Sequence, residues 1–274
     1  MCGIAGYSVS SSSHVDRTLA AQTLFTAIAE RGSDAVGYAY RAGSGPIVTH
    51  KQRTGASELL DAVEVPQEAT QALFHVRDYT KGHPSLAANN HPIRHGAVVG
   101  IHNGIIANDE EIFARNGFQR AEPGMTVDSE AIFALVEEAD DRKAALELLY
   151  GSMATAWLDE RVPDALFVAR GVGRPLWIGE GREEIFFGST RDALELAETY
   201  LGVTLAKREL AEGAAVRLER GRIVSSVTFE PDWSFTEETL PAVRAPDERR
   251  FCLERLAALA KGRSTAFGIS AAAR

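Results

Sequence analysis

The 274-residue sequence is short of several things, and each shortage excludes a class of protein. It has only two cysteines, Cys2 and Cys252, almost a chain length apart. With no Cys-x-x-Cys pair, neither a disulfide framework nor a thiolate zinc site has support, and a reducing compartment fits best. No apolar run approaches the ~18 residues of a membrane span, and no basic stretch followed by an apolar one opens the chain. Neither membrane insertion nor export is expected, which makes the cytoplasm the expected location. Positive charge is also scarce: 29 Lys and Arg face 38 Asp and Glu, for a formal net charge of -9. Such a surface repels phosphate backbones and anionic membranes. The densest basic stretches, 217–222 and 244–250, are interleaved with acids and read as solvated surface, so no nucleic-acid or membrane partner is expected. Internal repeats are absent. Apolar residues, in contrast, make up 45% of the chain, enough to bury a sizeable core.

Residues 2–9 read as a short apolar strand, and Ser13 and Asp16 have the spacing of a capping box. Leu19, Ala20, Leu24, Ala27 and Ile28 recur at helical spacing as far as Arg31, where Gly32 stops the helix. Strands at 35–41 and 46–52 form a hairpin around Gly43-Ser44-Gly45. A short helix around 57–63 leads to a strand at 72–77, a loop at 78–96 rich in Pro, Gly and Asn, and a strand at 97–101 that ends in His102-Asn103-Gly104. Loops of that length in compact domains are usually functional. Helices are predicted at 109–115, 129–139 and 141–149, strands at 154–159, 165–169, 175–178 and 184–187, a helix at 192–200, and strands at 214–218 and 222–229. Strands on both sides of a helical middle, mostly joined as hairpins, predict an α+β layering of two stacked sheets with helices outside. From Glu230 the pattern fades through Pro231, Pro241 and Pro246, and a charged amphipathic helix at 247–259 precedes a small polar tail. About 45 residues with one helix cannot bury a core of their own. Residues 2–229 are therefore read as the domain and 230–274 as an extension that docks on it or binds a partner.

Cys2 stands directly behind Met1, so removal of one residue places a thiol and a free α-amine on the same residue. An α-amine titrates near pH 8 and a thiol near 8.5, so the amine can serve as base for its own thiol. Taken alone, Cys2 reads first as a buried start to a strand. A thiolate attacking an acyl carbon needs an oxyanion hole and a grip on the substrate. Asn103 offers a side-chain amide and Gly104 an unhindered N–H, though Asn-Gly after a strand is also a common turn. Arg77 can bind a carboxylate bidentately and Asp128 an ammonium. Each alone is also an ordinary surface or capping residue.

Six segments taken together carry a resemblance: Met1-Cys2-Gly3-Ile4-Ala5-Gly6, Arg31-Gly32-Ser33-Asp34-Ala35-Val36-Gly37, His75-Val76-Arg77-Asp78-Tyr79-Thr80-Lys81-Gly82, Asn89-Asn90-His91-Pro92, Val99-Gly100-Ile101-His102-Asn103-Gly104-Ile105-Ile106 and Val127-Asp128-Ser129-Glu130. In order and spacing the set resembles the class II glutamine amidotransferases, which include the glutaminase domains of glucosamine-6-phosphate synthase, amidophosphoribosyltransferase and asparagine synthetase. The resemblance runs from Cys2 to about Phe229, with residues 186–194 similar to a degenerate copy of the family's Ala-Ser-Asp segment. It implies a four-layer αββα sandwich of the N-terminal nucleophile hydrolase type. It further implies that Cys2 is the nucleophile once Met1 is removed, its α-amine the base, and Asn103 and Gly104 the oxyanion hole. Arg77 would hold the α-carboxylate of L-glutamine, Asp128 its α-ammonium, and Thr80 would be a further substrate contact. No cofactor is implied.

The chain departs from the family at Asp78, where an aromatic residue is usual, and at Lys81, where histidine is common; both bear on the loop, not on the nucleophile. Arg31 and Asp34 read as ties between the strand pair and this loop. His75, His83, His91, His95 and His102 fall in one window, but no Cys or carboxylate completes a tetrahedral set, so no metal is expected. Gly171-Val172-Gly173 lacks the third glycine of a dinucleotide loop and reads as a turn. The expected function is glutamine hydrolysis through a γ-glutamyl thioester, with ammonia supplied to a synthase on a separate chain. Alternatives are an amidohydrolase of another γ-glutamyl metabolite and a catalytically silent binding module.

Overall fold

The structure, a computed structural model, describes residues 2–237 and 241–266. In chain order its elements are β1 (Gly3–Val9), α1 (Arg17–Ile28), β2 (Ala35–Ala42), β3 (Val48–Gln52), α2 (Ala56–Leu59), β4 (Ala69–Arg77), β5 (Ile93–His95), β6 (Val98–Ile106), α3 (Asp109–Asn116), α4 (Glu130–Glu138) and α5 (Arg142–Glu147). They continue with β7 (Gly151–Asp159), β8 (Ala165–Arg170), β9 (Trp177–Glu180), β10 (Glu184–Gly188), α6 (Arg191–Leu201), β11 (Ala206–Glu209), β12 (Ala214–Glu219), β13 (Arg222–Thr228) and α7 (Pro246–Ala266). One sheet has the order β11-β9-β10-β1-β4-β2-β3 and the other β13-β12-β8-β7-β6-β5, both paired antiparallel.

Alternation along the strands separates three layers of core. Ala5, Tyr7, Val9, Phe74 and Val76 of the first sheet pack against Leu24, Phe25 and Ile28 of α1. Val98, Ile106 and Trp157 of the second sheet pack with Ile132, Phe133 and Leu146 of α4 and α5. The intervening positions, Ile4 and Leu73 from one sheet and Val99, Ile101, Ala154 and Leu158 from the other, form an apolar layer between the sheets. The result is helix, sheet, sheet, helix, the four-layer sandwich expected. Among the described residues no helix is long and apolar enough to cross a membrane.

Several local expectations change. Asp16 caps α1 itself, its Oδ1 accepting the Leu19 N–H at 2.8 Å. Ser13 instead donates to Glu184 at 2.6 Å. A cap must immediately precede the helix, and Ser13 stands too far upstream. The polar edge strand β11 carries no apolar alternation and was invisible in the sequence. The expected loop at 78–96 contains a 3-10 turn, Ala87–Asn89, and strand β5. At the other end of the chain, α7 lies across α1 and α2. Cys252 and Leu256 are fully buried in that contact, and Glu248 accepts the Ser57 N–H and hydroxyl at 3.0 and 3.1 Å. The helix expected to end at Leu259 runs on to Ala266, so the first part of the expected tail is helical, and residues 267–274 lie outside the described residues.

Candidate active site

The two-residue period of a strand sets which side chains meet. Ile4, Leu73 and Ile101 all face the layer between the sheets. Two residues away on each strand stand Cys2, His75 and Asn103, and four from Leu73 stands Arg77, so all four take the same face. Pairing of Gly3 with Val76 places Cys2 beside Arg77. Cys2, Arg77 and Asn103 thus converge at one end of the interlayer although 101 residues of sequence separate the outer two.

The start of β1 is held firmly. The Ile4 N–H donates to the Ser189 hydroxyl and Ile4 C=O accepts the Ser189 N–H, both at 2.9 Å. Arg31, buried, donates from Nε to the Cys2 carbonyl at 2.9 Å. Gly3 permits this closeness, since a Cβ there would lie 2.8 Å from Ile28 and 2.9 Å from Val76. The Cys2 thiol faces the Asp78 carbonyl at 3.5 Å. Burial pushes that thiol up from its ordinary value, partly offset by the Asp78 contact and by the positive charge of Arg77. Met1 lies outside the described residues.

Arg77 ends β4 and is almost fully buried. Its Nη1 donates to Asn90 Oδ1 at 2.6 Å and its Nη2 to the carbonyls of Lys81, at 2.8 Å, and Gly82. Three of the five guanidinium N–H groups therefore shape the following loop, a use that sequence reading did not anticipate. Asp34 works on the same loop, accepting the Tyr79 N–H at 2.9 Å and donating its own N–H to the Arg77 carbonyl. Arg31 and Asp34 hold strand ends and loop as read from the sequence. Lys81 clamps the loop from the other side, its Nζ reaching Asp109 at 2.7 and 2.8 Å. Thr80 is exposed on the loop surface.

His102-Asn103-Gly104 does not end its strand. β6 runs on to Ile106 and pairs with β7 throughout, so the turn reading of Asn-Gly is wrong. The strand continues because Gly104 adopts φ +150, where a Cβ would lie 1.9 Å from the Ser152 carbonyl. Gly104 stands opposite Met153, whose N–H and C=O bond Val172 and Gly171 on the far side. Gly104 is therefore the non-hydrogen-bonded member of its pair, and its N–H is left toward the same strand edge as that of Ile106. Asn103 is 1% exposed, and neither its Nδ2 nor its Oδ1 has a hydrogen-bond partner. A buried amide so placed costs free energy until something bonds it.

Asp128 sits just before α4, and its Oδ2 accepts the Ile106 N–H at 2.7 Å. Burial raises this carboxyl to about 6, with repulsion from Asp109 in the same direction. Among the described residues no cation pairs with it directly. One end of the interlayer thus carries a buried guanidinium, a buried unpaired carboxylate, a thiol and an unbonded amide.

Three of the histidines, His75, His91 and His102, are buried. His75 and His91 stack at 4.1 Å, and burial holds His75 and His102 down to about 3, so both rings are neutral. Residues the sequence reading missed reach the same end of the sandwich from the C-terminal segment. Glu237 accepts from Ser152 Oγ at 2.6 Å and from Arg174, while Arg244 donates to Asp78 at 3.1 Å. No periodicity or family segment marks these positions, because they lie in the Pro-interrupted stretch.

Two antiparallel sheets between helical layers, with a cysteine heading an inner strand, define the fold of the N-terminal nucleophile hydrolases. Residues 71–196 match the family described as glutamine amidotransferase domain. Glutamine–fructose-6-phosphate aminotransferase of Caulobacter vibrioides is 32% identical over 252 residues, 84% of this chain and 40% of that protein. The enzyme of the same name from Vibrio cholerae is 36% identical over 202 residues, 69% of this chain and 31% of that one. Among solved structures, glutamine phosphoribosylpyrophosphate amidotransferase of B. subtilis superposes with a TM-score of 0.64 at 19% identity, covering 84% of this chain and 49% of that one. The chain spans less than half the length of these relatives. It belongs to the class II glutamine amidotransferases.

Proposed function

We propose that this chain hydrolyses L-glutamine to glutamate and ammonia, with residues 2–229 as the amidotransferase domain and 230–274 as an extension with one helix that is not a domain of its own. The observation that carries the reading is the Asn103 amide, buried without a partner beside the Cys2 strand. It suits an oxygen that gains charge only during reaction, and such preorganised donors are among the larger contributions to catalysis. Arg77 takes the substrate α-carboxylate with its remaining N–H groups, and Asp128 takes the α-ammonium, whose charge the raised carboxyl lacks. Thr80 contacts the substrate when the loop is occupied.

With Met1 removed, the Cys2 α-amine accepts the thiol proton as Sγ bonds the carbonyl carbon of the substrate's γ-carboxamide. The carbonyl oxygen takes the negative charge against Asn103 Nδ2 and the Gly104 N–H. Collapse breaks the C–N bond, the amine returns the proton to the nitrogen, and ammonia leaves a γ-glutamyl thioester. Water then attacks the thioester, with the same amine as base, and glutamate departs. Ammonia passes to the acceptor site of a synthase, consistent with relatives whose names pair glutamine with fructose-6-phosphate.

The test begins with intact mass, which reads the removal of Met1, and labelling by a diazoketone analogue of glutamine, which reads the nucleophile. Processed wild-type protein is expected to release glutamate from glutamine, and the Cys2→Ala variant none. Glutamate release by Cys2→Ala at the wild-type rate, or none from processed wild type with or without candidate synthases, overturns the proposal.

A further inference from the structure

Cys2 and Arg77 belong to one sheet and Asn103 and Gly104 to the other, so the distance from nucleophile to oxyanion donor depends on how the two sheets sit against each other. The layer between them is chiefly aliphatic, and apolar packing is non-directional. Directional bonds therefore have to fix the spacing. At the far end of the sandwich Arg41 of β2 donates to the Asp159 carbonyl of β7 at 2.9 Å. At the Cys2 end, His75 of β4 donates from Nε2 to the His102 carbonyl of β6 at 3.1 Å.

That carbonyl belongs to the peptide linking His102 to Asn103. Because a peptide is planar, holding its oxygen also orients the bond to Asn103 Cα. The Asn103 amide has no hydrogen bond of its own, so its aim comes from the backbone and packing. The His102 ring steadies the same stretch, donating from Nε2 to the Ser152 carbonyl at 3.2 Å and accepting the Ser129 hydroxyl at 2.8 Å on Nδ1. Those bonds lie within the second sheet and its helix, whereas His75 reaches in from the nucleophile's sheet. His75 is also two residues from Arg77 on the same face of β4, so one strand carries both a substrate anchor and the brace.

Resting on the glutaminase reading, we propose that His75 is a positioning residue for the oxyanion step, a cross-sheet brace that sets Asn103 and Gly104 against the Cys2 sulfur. It touches no substrate. Its ring is kept neutral by burial, with the Arg77 charge acting in the same direction. The brace is therefore an uncharged donor.

The experiment uses the full chain with Met1 removed and compares wild type, His75→Leu, His75→Gln and His75→Asn. A positioning role predicts that His75→Leu lowers kcat for glutamine roughly ten- to hundredfold, the order expected when reacting groups shift by about 1 Å. L-Glutamate, which uses Arg77 and Asp128 but forms no oxyanion, is expected to bind with its Kd changed by less than about threefold. Glutamine carries its amide Nε2 at a reach similar to that of the imidazole Nε2, so His75→Gln restores kcat to within about fivefold, whereas the shorter His75→Asn, whose donor is Nδ2, does not. Should His75→Leu not fold, the Gln and Asn variants decide the matter between them. Equal kcat in those two, a parallel loss of kcat and glutamate affinity, or an unchanged kcat in His75→Leu overturns the brace. Absence of turnover in the processed wild type overturns the glutaminase reading instead, so the two failures are distinct.

Discussion

Replacing Asp128 with asparagine is expected to make the protein more stable and at the same time unable to hold glutamine. The carboxyl is 3% exposed and accepts the Ile106 N–H, yet among the described residues no cation pairs with it directly. Its titration moves from 3.8 to about 6 on burial, which corresponds to about 3 kcal/mol against the ionised form. The sign follows from which form the fold disfavours. Below about pH 4 the carboxyl is protonated in folded and unfolded chains alike, and it carries no penalty. Between pH 4 and 6 the unfolded chain ionises first, and stability falls; above 6 the full penalty is present. Asparagine keeps the acceptor for Ile106 and removes the ionisation, although its amide N–H groups cost on the order of 1 kcal/mol if unbonded. The stability gained by Asp128→Asn should thus grow by about 2 kcal/mol from pH 4.5 to 8, the rest of the penalty being present already at pH 4.5 because the unfolded carboxyl ionises from 3.8. In a chain of this size that corresponds to a relative rise in Tm of roughly 4–8 °C.

Urea and thermal unfolding of both proteins across that pH range measure the gain, and glutamine titration measures the loss. Wild type should gain stability from saturating glutamine, whereas the variant should not. In the wild type, KM for glutamine should rise as pH falls through about 6, because protonation removes the charge that meets the substrate ammonium. A stability difference that does not vary with pH, or glutamine binding retained within a few-fold by the variant, would refute the reasoning.

Two further outcomes follow from the strand that carries the oxyanion donors. Asn103→Ala removes an amide that bonds nothing in the free protein, so it should leave stability near wild type while lowering kcat about 10²- to 10³-fold with a small change in KM; steady-state kinetics beside urea unfolding separate the two effects. Gly104→Ala should fail differently, because its Cβ would lie 1.9 Å from the Ser152 carbonyl at φ +150. A loss of at least about 2 kcal/mol in stability is expected from strain of that kind, and a variant as stable as wild type would show that β6 does not need this conformation.

Much of the architecture was legible because local pattern and tertiary environment agree. Strong helical spacing from Leu19 to Ile28 became α1, and the hairpin about Gly43-Ser44-Gly45 formed as read. Where they disagree, the reading slipped. Asn103-Gly104 has turn chemistry but lies within β6, since pairing with β7 outweighs the local preference of the dipeptide. Polar β11 is held by its pairing with β9 and displays no period of its own.

The site shows the same division. Residue types and their order were enough to single out Cys2, Arg77, Asn103, Gly104 and Asp128 as a set. By itself the sequence determined that thiol, guanidinium, amide and carboxylate were all available, because these are properties of side chains and of motif order. Only the tertiary structure decided how each is employed: Arg77 divided between loop and site, the Asp128 carboxyl raised by burial, the Asn103 amide left unbonded, and His75 reaching across to the opposite sheet. Burial and hydrogen-bond partnership depend on residues far away in the chain, brought together by packing, and no local stretch of sequence contains them.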